Sequence, residues 1–207
     1  QEHYVARYNH ETIALGFSIT EEAIEDNLYD SLSARYTKAL ARSMAHTKQV
    51  KAASPINNGM PSGSFTSGDG VTLFNTAHPL VSGGTNSNTP STAHDLNETS
   101  LEADIIAISE FTDERGLLIA ARPEKLIVPP ELMFVANRLL QTELRVGTAD
   151  NDINSIRNMG SIPQGYRVNH FFTDADAYVI ITSINSTDGM KYFVRTPIAT
   201  GMDGDFD

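Results

Sequence analysis

The first residues of the chain alternate between apolar and polar positions. Ile13, Leu15, Phe17 and Ile19 would lie on one face of a strand, with small or polar residues between them. A similar alternation runs upstream over residues 4–9. The pattern predicts a long extended segment. It fits an ordinary sheet strand, and it also fits an arm that reaches a neighbouring subunit.

A helical pattern follows and predicts one long helix over residues 20–54, ended by Pro55 and Gly59. Acidic residues crowd its first turns and basic residues fill its second half, an order that complements the helix dipole. Unbroken, it would span about 50 Å. Its single apolar stripe has a spacing near four, which disfavours a coiled coil and favours a strut lying across other parts. The stripe consists of Ile24, Leu28, Leu32, Tyr36, Leu40 and Met44, drifting to Thr47 and Val50.

The rest of the chain combines a long polar loop with mixed helices and strands. Residues 57–96 are rich in Gly, Ser, Thr and Asn. A capping box at Thr99 and Glu102 predicts a helix that Gly116 ends. A buried strand over residues 125–128 precedes a helix that starts at the adjacent prolines. Three further strands are predicted at 166–172, 178–184 and 190–198. This succession predicts an α+β fold.

The composition and net charge exclude several classes of partner and site. The net charge of −11 opposes direct binding to phosphate backbones, and no basic patch stands out in the sequence. No apolar run approaches the roughly 20 residues needed to cross a bilayer, so we expect no membrane partner. The absence of cysteine excludes disulfides and thiolate metal sites. The chain starts at Gln1 and ends in an acidic stretch, so we expect a fragment or a processed product.

No reactive constellation is visible. The sequence contains no G-x-S-x-G elbow, P-loop or H-E-x-x-H motif. His78 is expected to make a structural hydrogen bond. We predict no catalytic, cofactor-binding or metal site, and no enzyme. The histidines that could in principle meet at zinc (His46, His78, His94 and His170) lack helical ligand spacing. The aspartate pairs Asp150 with Asp152 and Asp174 with Asp176 favour turns and caps over calcium binding or acid–base work.

Five segments, in order along the chain, resemble blocks of major capsid proteins of tailed phages. They are residues 70–80 (GVTLFNTAHPL), 125–132 (KLIVPPEL), 144–154 (LRVGTADNDIN), 174–178 (DADAY) and 189–193 (GMKYF). The group resembled is that of Mu-like major head subunits, with the Hong Kong ninety-seven (HK97) type of capsid fold. Several blocks in the same order make this resemblance more specific than a single motif.

The resemblance implies a domain layout and an assembly. Residues 1–17 would form a partial E-loop strand, 18–98 a P domain with a spine helix at 20–54, 99–190 an A domain, and 191–207 a return to the P domain. Pentamers and hexamers of the chain would build an icosahedral virion shell, assembled in the host bacterial cytoplasm. Intersubunit contacts are expected at Tyr4, Arg7, Tyr8, His10, Phe65 and Phe74.

The implied partners are further copies of the chain, a scaffolding protein, a portal and decoration proteins. The shell would enclose double-stranded DNA without sequence-specific binding. A lysine–asparagine crosslink, known in some relatives, is not expected, because residues 1–17 contain no lysine. Three alternatives stay open: an encapsulin-like compartment, a hydrolase that uses His78 and an aspartate, and an adhesion module that binds glycans through the loop at 59–90.

Overall fold

The computed structural model describes residues 9–26, 29–145, 152–184 and 189–201, and only the backbone of residues 29–31. The fold is a mixture of helices and strands, as the sequence predicts. Among the described residues the helices are α1 (Glu21–Glu25), α2 (Tyr29–Asn57), α3 (Glu98–Ser109), α4 (Met133–Gln141) and α5 (Ser155–Asn158). The strands are β1 (His78–Pro79), β2 (Thr85–Asn86), β3 (Pro123–Val128), β4 (Tyr166–Val168) and β5 (Val179–Thr182).

A three-stranded sheet in the order β4–β3–β5 organises the core. The central strand β3 pairs in parallel with β4 and antiparallel with β5. Leu126 and Val128 alternate along β3 and are fully buried, so this strand carries the centre of the core. The buried cluster draws on α3, β3, α4, α5 and the adjoining loops, and consists of Leu96, Leu101, Leu126, Val128, Ala136, Leu140, Ile156 and Ile162.

Asn154 connects α4 to α5 inside this core. Its buried side-chain amide donates hydrogen bonds to the carbonyls of Leu139 (2.8 Å) and Thr142 (3.1 Å). Its side-chain oxygen accepts from the amide of Arg157 at 3.3 Å and caps α5. A buried amide stabilises the fold only when its donors and acceptor find partners, and here they do.

The long helix is confirmed in part. We predicted one unbroken rod, but α1 ends at Glu25, Asp26 forms a turn, and α2 begins at Tyr29. Like charges repel at i, i+4, and aspartate is a weak helix former, so the acidic first turns disfavour continuation. Pro55 was predicted to end the helix, yet it lies inside α2. A proline in the last turn removes one hydrogen bond and keeps a helical φ, so the helix runs on to Asn57.

A tightly bonded connection follows α2. Gly59 is buried, and its carbonyl accepts from the Phe74 amide at 2.8 Å. A Cβ at Gly59 would lie 2.5 Å from the Pro55 carbonyl oxygen and 2.9 Å from the Leu73 Cβ. Only glycine therefore allows the chain to leave the helix at this point. The side chain of Asn57 donates to the Phe171 carbonyl at 2.8 Å, which joins the end of α2 to the sheet-based core.

Both predicted ends of α3 and one predicted strand differ from the structure. The cap of α3 is Asn97, not Thr99, because the Asn97 side chain accepts from the Ser100 amide at 2.9 Å. The helix ends at Ser109, well before Gly116, which turns a later loop with φ of 80°. The strand predicted at 190–198 is absent, because no residue of the described segment 189–201 lies in a strand or β-bridge.

Candidate assembly surfaces

An extended arm lies along α2. The arm, residues 9–20, has no regular secondary structure, so the predicted strand is absent here. Glu11 forms an ion pair with Lys51 (2.6 Å), and the Phe17 ring lies 5.5 Å from the Tyr36 ring. An extended chain advances about 20 Å from Glu11 to Phe17. The helix rises about 22 Å between Tyr36 and Lys51, the residues that they contact. The arm therefore runs antiparallel to α2.

The arm leaves most of its apolar side chains exposed. Ile13, Leu15 and Phe17 are 40%, 53% and 43% exposed. On α2, Ala53 is buried, and Leu32, Leu40 and Met44 are half-buried. Apolar side chains that remain exposed to solvent in this way are typical of a surface that another molecule covers.

The segment 189–201 offers a second exposed apolar surface beside the same helix. The Lys48 ammonium lies 5.0 Å from the centre of the Tyr192 ring, a cation–π contact that attaches this segment to α2. Five large apolar side chains here are more than half exposed: Met190, Tyr192, Phe193, Val194 and Ile198. The arm and this segment thus share two properties, which are exposed apolar residues and contact with α2.

A third surface is the tip of the loop that follows α3. Thr112 pairs with Leu118, and the carboxylate of Asp113 accepts from the amides of Arg115 and Leu117, both at 2.8 Å. These bonds hold the pKa of Asp113 below its usual range, the Leu117 amide contributing most. The tip presents an apolar triplet to solvent: Leu117, Leu118 and Ile119. The prediction from sequence missed this loop. Its signal is Asp113 three residues before Gly116, followed by consecutive apolar residues.

The hydrolase hypothesis rests on His78, whose neighbours are now visible. Its Nδ1 lies 2.6 Å from an oxygen of Asp69 and donates to that carboxylate. Nε2 is buried and has no hydrogen-bond partner among the described residues. The Ser67 hydroxyl donates to Asp69 at 2.5 Å, not to the imidazole. A serine nucleophile needs the histidine as its base, so these three residues are not arranged as a triad.

This cluster is instead suited to holding a turn together. Burial raises the pKa of Asp69, but hydrogen bonds from Ser67, His78 and the Val71 amide outweigh it, and the net pKa is lowered. The backbone N–H of Ser67 also donates to the Val71 carbonyl at 2.7 Å. The structural hydrogen bond expected of His78 is confirmed. It ties β1 to the turn at 66–72.

A second polar cluster connects the loop before α3 to the start of β5. The Tyr178 hydroxyl donates to Asp104 at 2.5 Å, and His94 lies within 3.3 Å of both partners. Burial, and then the adjacent carboxylate, raise the pKa of Tyr178. The phenol therefore remains a donor at ordinary pH. Its geometry favours a structural bond between elements over proton transfer.

The comparison with known families decides how these surfaces are interpreted. A family model described as phage capsid protein matches residues 4–207. The chain belongs to this phage capsid protein family. No curated protein and no solved structure matches it. Membership implies that the capsid protein assembles into a shell with copies of itself and is located in the virion.

The contact residues predicted for this capsid protein divide into three groups. Tyr4, Arg7 and Tyr8 lie outside the described residues. His10 is exposed in the arm, and Phe65 is 41% exposed in the loop after α2. Phe74 is half-buried beside Gly59.

The histidines and aspartates considered as metal ligands do not form a metal site in the described part of the chain. In the part of the chain that the structure describes, no group of three or more His, Asp or Glu residues could hold a metal ion. Asp174 accepts from the Asp176 amide at 3.0 Å, the turn geometry expected of it. Asp150 lies outside the described residues. None of the described helices has the length and apolar character to span a membrane.

Proposed function

We propose that the chain is the major head protein of a tailed phage with an HK97-type fold. Its copies form pentamers and hexamers that close into an icosahedral shell around double-stranded DNA. The observation that carries the proposal is the exposed apolar surface beside α2. In the arm, Ile13, Leu15 and Phe17 are 40%, 53% and 43% exposed, and in the segment 189–201 Tyr192 and Ile198 are 66% and 74% exposed. Such surfaces are expected of a subunit that neighbours cover.

The proposed domain layout assigns the long helix α2 and the sheet to different domains. The E-loop strand would occupy residues 1–17, and the spine helix, predicted at 20–54, would correspond mainly to α2. That helix is about 43 Å long at 1.5 Å per residue, far above the average in globular proteins. The A domain at 99–190 would contain the sheet, and residues 191–207 would return to the P domain, which begins at residue 18. The Lys48–Tyr192 contact supports that return.

The proposed partners follow from assembly. Scaffolding protein, portal and decoration proteins would attach to surfaces of the shell, and Tyr4, Arg7, Tyr8, His10, Phe65 and Phe74 would contact neighbouring subunits. The exposed His10 and Phe65 support this. The net charge of −11 supports a wall that encloses DNA without gripping it. Assembly would take place in the host bacterial cytoplasm.

Electron microscopy of the expressed full-length protein tests the proposal. We expect closed shells or rings with five- and six-fold symmetry. A persistent monomer, or a trimer typical of an adhesion module, would contradict it. Mass spectrometry of purified shells tests the encapsulin-like alternative: a stoichiometric enzyme cargo held by a short peptide would favour a compartment over a phage head.

A further inference from the structure

The basic residues of α2 form two sets on different faces. Five of the chain's 15 lysines and arginines lie in this helix, and Asp30 is its single acidic residue. Lys48 and Lys51 face the segments beside the helix, where they meet Tyr192 and Glu11. These two lysines already have partners within the chain.

The second set, which we name the basic row, consists of Arg35, Lys38 and Arg42. The spacing i, i+3, i+7 places the three on one face. At about 100° per residue this face is opposite the half-buried Leu40 and Met44. All three side chains are exposed, and none forms an ion pair with a carboxylate of the described residues. The basic row is a cationic surface on a protein that is otherwise strongly acidic.

The chain also contains a matching acidic surface. Glu21, Glu22, Glu25 and Asp26 are exposed in and just after α1, and we name them the acidic turn. None of them pairs with a cation of the described residues. As a helix the acidic turn spans about 8 Å, and the basic row spans about 10 Å, so the two surfaces match in length.

We propose that the basic row of one subunit docks on the acidic turn of a neighbouring copy, an inference that rests on the proposed shell function. Copies that each carry a net charge of −11 repel one another. A shell therefore needs places where opposite charges meet, and the basic row is a concentrated source of positive charge without a partner in the described chain. Each exposed pair is weak, but a closed shell repeats the contact at every equivalent interface.

Two other occupants fit the basic row less well. DNA phosphates would meet three cations on a subunit whose overall charge repels them. The acidic turn of the same chain is covalently close, yet it makes no ion pair with the row. The test therefore has to separate a contact between copies from a contact within one copy and from DNA binding.

The experiment uses charge reversal in the full-length protein. One variant reverses the basic row (R35E/K38E/R42E), a second reverses three of the four residues of the acidic turn (E22K/E25K/D26K), and a third carries both sets in one chain. The matched control R122E/R138E/R167E makes the same change in net charge as the first variant at exposed positions elsewhere. Sedimentation measures the protein concentration required for assembly, and circular dichroism checks that each variant folds.

We expect each single-set variant to raise the concentration required for assembly at least about tenfold, with the control near wild type. An equal mixture of the two variants should restore assembly, because each supplies the reversed partner of the other. Rescue only when both sets lie in one chain would overturn the proposal in favour of an internal contact. Loss without rescue, together with reduced DNA retention in a gel-shift assay, would overturn it in favour of DNA.

Two further measurements keep the test decisive if a reversed variant misfolds. The neutral variant R35Q/K38Q/R42Q should weaken assembly in the same direction. Wild-type assembly should weaken as sodium chloride rises from about 0.05 M to about 0.5 M, because salt screens exposed charges. Unchanged assembly in both would overturn the proposal. If the wild-type protein forms no shell at all, the proposed function itself fails, which is a different result from shells that tolerate every reversal.

Discussion

The sheet-based core and the region formed by α2 and its arm are built on opposite principles. Around β3, apolar residues from α3, α4 and α5 exclude water, and Leu101, Leu126 and Val128 are fully buried. Along α2 the sole buried apolar residue described is Ala53, while the arm lies flat and exposed. The first region takes its cover from its own chain. The second region leaves apolar residues exposed within the part of the chain that the structure describes. Under the proposed function, neighbouring subunits would cover them.

The largest expected effect tests this contrast with two leucines. Leu126→Ala should lower the free energy of unfolding of the unassembled subunit by about 3 kcal/mol, because it removes a fully buried side chain and leaves a cavity. Leu15→Ala in the arm should change it by less than about 0.5 kcal/mol, since Leu15 is 53% exposed. Chemical denaturation measures both. Equal losses would mean that the arm belongs to the core of the isolated subunit.

The joint between the two regions provides the next test. Gly59→Ala should destabilise the subunit by about 1–3 kcal/mol, because the new Cβ would collide with the Pro55 carbonyl and with Leu73. Gly16→Ala is the control, since nothing lies within 4 Å of a Cβ there. Thermal unfolding followed by circular dichroism compares them. If both variants melt like wild type, the tight exit from α2 is not required for stability.

Acid sensitivity distinguishes the bonded turn at 66–72 from the open surfaces. The pKa of Asp69 is lowered in the folded state, so its stabilisation is present above the unfolded pKa of about 3.9 and is lost as pH falls through the folded value. Asp69→Asn should cost about 1–2 kcal/mol at pH 7. The difference from wild type should shrink below about pH 4. Urea denaturation across pH measures it, with Glu114→Gln as an exposed control. A constant difference would contradict the assignment.

The smallest effect concerns the ion pair between Glu11 and Lys51. Both side chains are more than half exposed, at 64% and 54%, so the coupling energy should be below about 1 kcal/mol. A double-mutant cycle with Glu11→Ala and Lys51→Ala measures it in the unassembled subunit. A coupling well above that value would show that the arm is held by its own chain, which weakens the contrast between the regions.

Sequence reasoning worked where local chemistry decides the structure. The charge order and apolar stripe of α2 predicted a long helix, and the adjacent prolines before α4 predicted its start. Sequence reasoning failed where a strand forms only if another segment pairs with it. The arm and the segment 189–201 have strand-like alternation in sequence, but none of their described residues lies in a strand or β-bridge. It also misplaced the cap of α3, because Asn97 and Thr99 both match a cap pattern and only the observed hydrogen bond distinguishes them.

The surfaces were predicted less completely than the fold. The sequence indicated an arm and a strut. It did not indicate the exposed triplet that follows Gly116, because Gly116 was interpreted as the end of a helix and not as part of a loop. The sequence showed the basic residues of this helix, but not that Arg35, Lys38 and Arg42 stay exposed on one face while Lys48 and Lys51 meet other segments. Both features depend on which side chains remain exposed after folding, and a periodicity alone does not determine that.

Hydrogen exchange, followed by mass spectrometry on free subunits and assembled shells, tests most directly whether copies cover α2 and its arm. The account predicts that exchange slows in the shell over residues 9–20, along α2 and over 189–201, while β3 and α4 exchange at the same rate in both states. Equal exchange of the arm and α2 in shells and free subunits would contradict it, because these surfaces would then remain open to water after assembly.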